Sequence, residues 1–212
     1  MRPRGFRQRL DKAQDDIFSL GNLHLNVIKA AGVSRGTFYN HFRTPQDLLT
    51  AVTAEISDEV LKVIDRTVLT YDDPVERITV GCLLYMHIAA ENRAWGGFIT
   101  RVGLQGDSKG ELLDVYLSRD LDLARENNKA SFLSTMAARD VILGCTIRSI
   151  QSVLLENAPQ QHLRRSLEIS LRGIGVPPER AQQLCAMRLP KISLSGRSDL
   201  SALLLGPAPE QD

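Results

Sequence analysis

Between Arg35 and Arg43 the chain reads RGTFYNHFR, a set of side chains suited to meeting nucleic acid. An arginine fork can pair with both acceptors on a guanine edge, a contact worth about 1–3 kcal/mol of discrimination. Arg35 is placed for that contact, or for a phosphate. Gly36 has no side chain and so lets the backbone approach DNA. Thr37 can donate to a phosphate or offer its methyl group to a thymine methyl, and Asn40 can read adenine or stay solvated. Arg43 suits backbone phosphate together with the amides that Thr44 caps, because helix starts attract anions. Phe38 and Phe42, four apart, belong to a core.

No rival chemistry is spelled out elsewhere. His24, His41, His87 and His162 are scattered without ligand or triad spacing, and there is no glycine-rich phosphate loop. Cys82, Cys145 and Cys185 lie far apart in apolar helical contexts, which reads as buried structural thiols and not as a metal set. No cofactor and no catalytic residue are therefore expected.

The elements that must position Arg35 to Arg43 are short helices. Val27, Ile28 and Ala31 share one face at helical spacing. Gly32 ends that helix, since the turn needs a left-handed residue, and Val33 plugs the corner. Ser34 is a good N-cap for the next helix. Thr44-Pro45-Gln46-Asp47 then starts a third, with a capping hydroxyl, proline at the first position and an acid at the third. Two helices joined by a tight glycine turn form a helix-turn-helix, whose second helix fits the DNA major groove.

The stretch AAGVSRGTFYNHFRTPQDLL resembles the DNA-binding motif of the tetracycline-repressor (TetR) family of transcriptional regulators. The close match covers about twenty-five residues, and the rest of the chain agrees in length and helical layout. The resemblance implies that Tyr39 and His41 clamp phosphates on the flanks of the recognition helix. The chain departs from the family's pattern in the compressed run Ser19–His24 and at Ile28, where a small alanine is common.

Composition agrees with a two-ended molecule. Of 26 Lys and Arg and 25 Asp and Glu in 212 residues, eight bases and three acids fall within residues 1–43. That segment is about +5 and the remainder about −4, so one end suits phosphate and the other does not. The opening MRPRG, with Arg4, reads as a basic arm that either stays solvated or reaches the minor groove or backbone. No uncharged run approaches the ~20 residues of a membrane span, and no apolar stretch follows the arginines as in a signal peptide. A cytoplasmic protein is expected.

Helical periodicity continues along the chain, with no strand pattern. It predicts helices from Phe6 to Leu20, from Thr44 to near Thr70, and from Asp73 past Ile88. A short, broken, glycine-rich helix is expected over Ala94–Leu104, and a capped one from Ser108 through Ala124. Two long helices over about 134–155 and 160–173, and a last one over Glu179–Met187, complete the pattern. The fold expected is all-α. Residues 1–46 would be a three-helix DNA-binding domain, 47–190 a larger helical ligand-binding and dimerisation domain, and 191–212 a tail.

The family resemblance implies a homodimer through helices 134–155 and 160–173, facing a palindromic operator in double-stranded DNA. It also implies a small-molecule effector held among the middle helices and releasing the DNA. Tyr85, His87, Trp95, Phe98, Tyr116 and Met136 are the candidate pocket residues. The alternative for such an aromatic and methionine set is plain core. Other functions open to the sequence are a constitutive DNA-binding regulator, an activator, or a helical enzyme or adapter.

Overall fold

The computed structural model describes residue 42, residues 44–102 and residues 111–192, and among these every regular element is an α-helix. In chain order they are α1 (Pro45–Val68), α2 (Pro74–Glu91), α3 (Arg93–Val102), α4 (Glu111–Glu126), α5 (Thr135–Leu155), α6 (Gln161–Gly173) and α7 (Pro178–Ala186). The expected helix over Phe6–Leu20, the helix-turn-helix, the Ser108 cap and the tail from residue 193 lie outside the described residues. So do Arg4, Arg35, Gly36, Thr37, Tyr39, Asn40, His41 and Arg43. Contacts divide the chain between Val52 and Thr53, within α1, and the cavity and ion pairs below belong to the unit from Thr53 onward.

The caps read from the sequence are formed. Thr44 Oγ1 accepts the Asp47 amide at 3.1 Å, and the Asp47 carboxylate accepts the Thr44 amide at 2.9 Å. That reciprocal pair satisfies two amides the helix start would leave orphaned. At α2 the Asp73 carboxylate accepts the Val75 amide at 2.9 Å, with Pro74 at the first position. Ser134 caps α5 by accepting from the Ala137 amide at 3.2 Å. A tertiary partner supports α4, where Asp58 Oδ1 of α1 accepts the Leu112 amide at 3.2 Å.

α2 is the centre of the body. Val75, Ile78, Thr79, Val80, Leu83, Leu84, Met86 and Ile88 are all buried, so it is covered on every side, as an all-round apolar helix must be. It packs against α3, α4, α5, α6 and α7, and α1 meets it through Ile64 and Val68 beside Gly81. From the far end of the sequence, Arg180 of α7 donates to Asp73 at 3.0 Å and Glu76 at 2.6 Å, tying α7 to the first turn of α2.

α3 corrects the sequence reading. Gly96 and Gly97 of AWGGFITRVGL do not break it; α3 is continuous over Arg93–Val102. A Cβ on Gly96 would lie 2.2 Å from the Ala89 carbonyl oxygen and 2.8 Å from Leu154 Cδ1. The residue is glycine because two neighbouring helices press against it, not because the chain turns there. The actual junction is the single residue Asn92, whose backbone amide donates to Ile88 O at 3.0 Å while its carbonyl accepts from Gly96 at 2.8 Å.

The later turns follow their residue types. Asn128 is left-handed (φ 54°), and Lys129 donates back to Ala124 O at 2.8 Å to close α4. Gly175 (φ 83°) does the same after α6, with Val176 donating to Leu171 O at 3.1 Å.

Candidate functional site

A cavity of about 50 Å³ lies between α1, α2, α4 and α5. Its α2 wall is the stripe Ile78, Gly81, Cys82 and Tyr85, at the i, i+3, i+4, i+7 spacing of one helix face. Leu61, Ile64 and Val68 of α1 stand opposite, Leu113, Tyr116 and Leu117 of α4 form a third side, and Leu143 and Thr146 of α5 close the space. Gly81 keeps part of it empty: a Cβ there would find Val68 Cγ1 at 3.6 Å and Ile64 Cγ2 at 3.7 Å, ordinary contact distances.

One margin of the cavity is charged but balanced. Arg119 of α4 donates to Asp65 at 2.8 Å and to both carboxylate oxygens of Asp120 at 2.9 Å. Arg77 of α2 lies 3.7 Å from Asp120 and donates to the Tyr71 carbonyl at 2.7 Å. Asp120, only 4% exposed, is thus held between two guanidinium groups, as a buried charge must be. Its hydrogen bond to Arg119 pushes the Arg119 guanidinium further above its ordinary value, so the group stays charged. Arg119 also lies over the Tyr116 ring, 5.4 Å from its centroid.

The polar atoms farther in are neutral. Burial pushes the Cys82 thiol up to about 12, with a smaller opposing effect from the Thr146 hydroxyl beside it. Burial likewise pushes the Tyr85 phenol up to about 12, although Ser57 Oγ, 3.4 Å from it, acts the other way. At neutral pH neither is an anion, so Cys82 is a poor nucleophile. Thr146, 2% exposed, has no partner at hydrogen-bond length for its hydroxyl among the described residues. Thr79, also buried, donates instead to the carbonyl one turn back, at 2.7 Å from Val75 O.

The candidate pocket residues separate. Tyr85 and Tyr116 line the cavity. Trp95 and Phe98 are buried elsewhere in the core, although the Trp95 ring meets Tyr85 edge-on with centroids 5.3 Å apart. His87 is half-buried away from the cavity; desolvation and then Arg164 lower its pKa, and Nε2 has no partner among the described residues. Met136 stands on the outer side of α5, 65% exposed, and does not line this cavity. Thr146, Cys82 and the charged margin were not singled out for this site from the sequence, because their placement depends on four helices separated along the chain. Of the DNA-contact candidates only Thr44 is described, exposed and engaged in its cap.

Outward-facing apolar residues mark a second surface. Met136, Val141 and Leu155 of α5 and Ile169 of α6 are each at least half exposed. Gly144 sits between them on α5, with nothing within 4 Å of where its Cβ would be. Among the described residues no group of three His, Cys, Asp or Glu could hold a metal ion, and no helix is long and apolar enough to cross a membrane.

No family model and no curated protein matches the chain. Among solved structures it is similar to the crystal structure of RolR without ligand, with 25% identity, a TM-score of 0.70, and coverage of 84% of this chain and 91% of that one. It is also similar to RolR in complex with the ligand resorcinol, at 24% identity and TM-score 0.66, covering 88% and 96% of the two chains. The helical architecture is therefore one that a solved ligand-binding protein shares.

Proposed function

We propose that this chain is a homodimeric transcriptional repressor of the TetR type, which binds a palindromic operator and lets go when a small molecule enters its helical body. The observation that carries the reading is the cavity itself. It lies inside a body similar to RolR, a protein solved both empty and holding resorcinol, and one of its walls is α1. The sequence Arg35-Gly36-Thr37-Phe38-Tyr39-Asn40-His41 supports the DNA contact, with Arg35 reading a base and Tyr39, His41 and Arg43 on phosphate.

Release follows from size. The free volume of about 50 Å³ is well below the ~150 Å³ of an engineered cavity that holds a benzene ring. A ring-sized ligand must push the walls apart. It therefore binds the expanded state better than the compact one, which is the differential affinity that any ligand-driven change requires. α1 runs unbroken from the Thr44 cap to Val68, so displacing Leu61, Ile64 and Val68 acts on the helix that follows the recognition segment in the sequence. The exposed residues of α5 and α6 supply the surface for the second copy, and a dimer of this kind places two recognition helices one turn of DNA apart.

The test is retardation of the DNA upstream of the chain's own gene. Binding is expected to fall steeply with salt, as phosphate neutralisation demands. Arg35→Ala is expected to lose sequence preference, and Tyr39→Phe to weaken all DNA alike. Resorcinol is the first compound to titrate against the complex. Retardation unchanged by both substitutions overturns the site assignment. Binding that no ligand disturbs leaves a constitutive regulator.

A further inference from the structure

We infer that the cavity recognises a compact, uncharged, hydroxyl-bearing hydrocarbon, oriented by the Thr146 hydroxyl and the Cys82 thiol, and that it rejects carboxylates of the same size. This rests on the ligand-responsive reading above and adds the chemistry of the ligand and the residues that choose it.

Three observations converge. The first is an unmade bond. Thr146 is almost fully buried and lines the cavity, yet its hydroxyl makes no hydrogen bond of standard length among the described residues, and the Cys82 thiol beside it is a weak partner. A buried hydroxyl so poorly matched gains from a ligand oxygen placed beside it. The second is the charge balance of the margin. Asp65 and Asp120 are already met by Arg77 and Arg119, so a ligand carboxylate would find no spare cation and would crowd two existing carboxylates. The third is the remaining lining, which is aliphatic apart from Tyr85 and Tyr116, and narrow. Apolar walls with a few convergent polar atoms fit a small hydrocarbon body with one polar handle. A hydroxyl is the handle that can accept from Thr146 while donating to the Cys82 sulfur, or the reverse.

Gly81 sets the size limit from the opposite side, since any side chain there enters the cavity between Ile64 and Val68. The chain also carries its own reporter. Its one tryptophan, Trp95, stacks edge-on against Tyr85, whose ring is part of the wall.

The experiment titrates the full chain with phenol, toluene and benzoate, following Trp95 fluorescence excited at the red edge and checking by calorimetry. Phenol is expected to bind at least about tenfold more tightly than toluene or benzoate, the factor that one hydrogen bond of about 1.4 kcal/mol provides. Thr146→Val keeps the shape and removes the hydroxyl. It is expected to erase the preference of phenol over toluene while leaving toluene binding as it was. Thr146→Ser, which restores the hydroxyl, is expected to bring the preference back. Benzoate binding as tightly as phenol overturns the inference, as does a phenol preference that survives in Thr146→Val or an absence of phenol binding in a chain that still retards DNA. Phenol binding with the expected selectivity but no release of DNA upholds the inference and sinks the regulatory reading instead, so the two failures are distinguishable.

Discussion

Gly96→Ala tests whether the packing of α3 is as tight as the structure makes it. The added methyl would sit 2.2 Å from the Ala89 carbonyl oxygen, 2.8 Å from Leu154 Cδ1 and 3.0 Å from the Ala89 carbonyl carbon. Leu154 can swing its terminal methyl away, but the Ala89 carbonyl is backbone in the last turn of α2 and cannot turn aside without moving the helix end. Relief therefore requires α3 to move off α2 by roughly 1 Å, opening space beside the buried Trp95 and Phe98. Overpacking of this kind costs about 1–3 kcal/mol, against at most about 1 kcal/mol gained by replacing a helical glycine with alanine. A net loss of about 1–2 kcal/mol corresponds to a fall in Tm of roughly 2–8 °C for a chain of this size. The internal control is Gly97→Ala, one residue on in the same helix, where nothing lies within 4 Å of the new methyl. That variant is expected to gain up to about 1 kcal/mol, for the same change in helix propensity without the collision. Urea unfolding followed by circular dichroism reads both. If Gly96→Ala is as stable as Gly97→Ala, the close approach of α2 and α3 is wrong.

Gly81→Ala is expected to raise stability by up to about 1 kcal/mol in the same assay, because its methyl meets only ordinary contacts, while phenol affinity drops as the cavity narrows. Gly144→Arg is expected to leave the monomer's helical content intact, since the site faces open space, and to abolish the dimer in sedimentation and operator binding; a stable dimer in that variant would place the interface elsewhere. The pH dependence of unfolding should carry the mark of His87, whose folded pKa lies below its ordinary 6.5. Its contribution is complete above about pH 6.5 and is lost as pH falls through the depressed folded value, because the unfolded chain takes the proton first. His87→Gln is expected to flatten that acid limb, and an unchanged limb would assign it to carboxylates.

What could be read from the chain alone follows from the range of each signal. The starts of α1 and α2 were legible because Thr44-Pro45-Gln46-Asp47 and Asp73-Pro74 carry their capping partners within four residues. The helical class was legible because apolar spacing repeats locally. Gly96 is ambiguous in sequence because a glycine that admits a neighbouring helix and one that ends its own helix look identical in one dimension. Met136 and Tyr116 are equally plausible pocket residues by type; which way each faces depends on the packing of α4 and α5, and α5 mixes apolar and small residues around most of its circumference. Thr146 carries no local sign at all. A buried helical threonine ordinarily bonds the carbonyl one turn back, as Thr79 does, and only the structure shows that this one does not.

The clasp of Arg180 on Asp73 and Glu76 bears on the order in which the body can be completed. The two ends of this contact are separated by 107 and 104 residues, and apart from α1 the helices packed around α2 all follow it in the chain. As synthesis proceeds from the N-terminus, α2 emerges with only α1 to cover it and the rest of its apolar circumference bare. A nascent chain halted before α4 would present that largely uncovered helix to chaperones and to other unfinished copies.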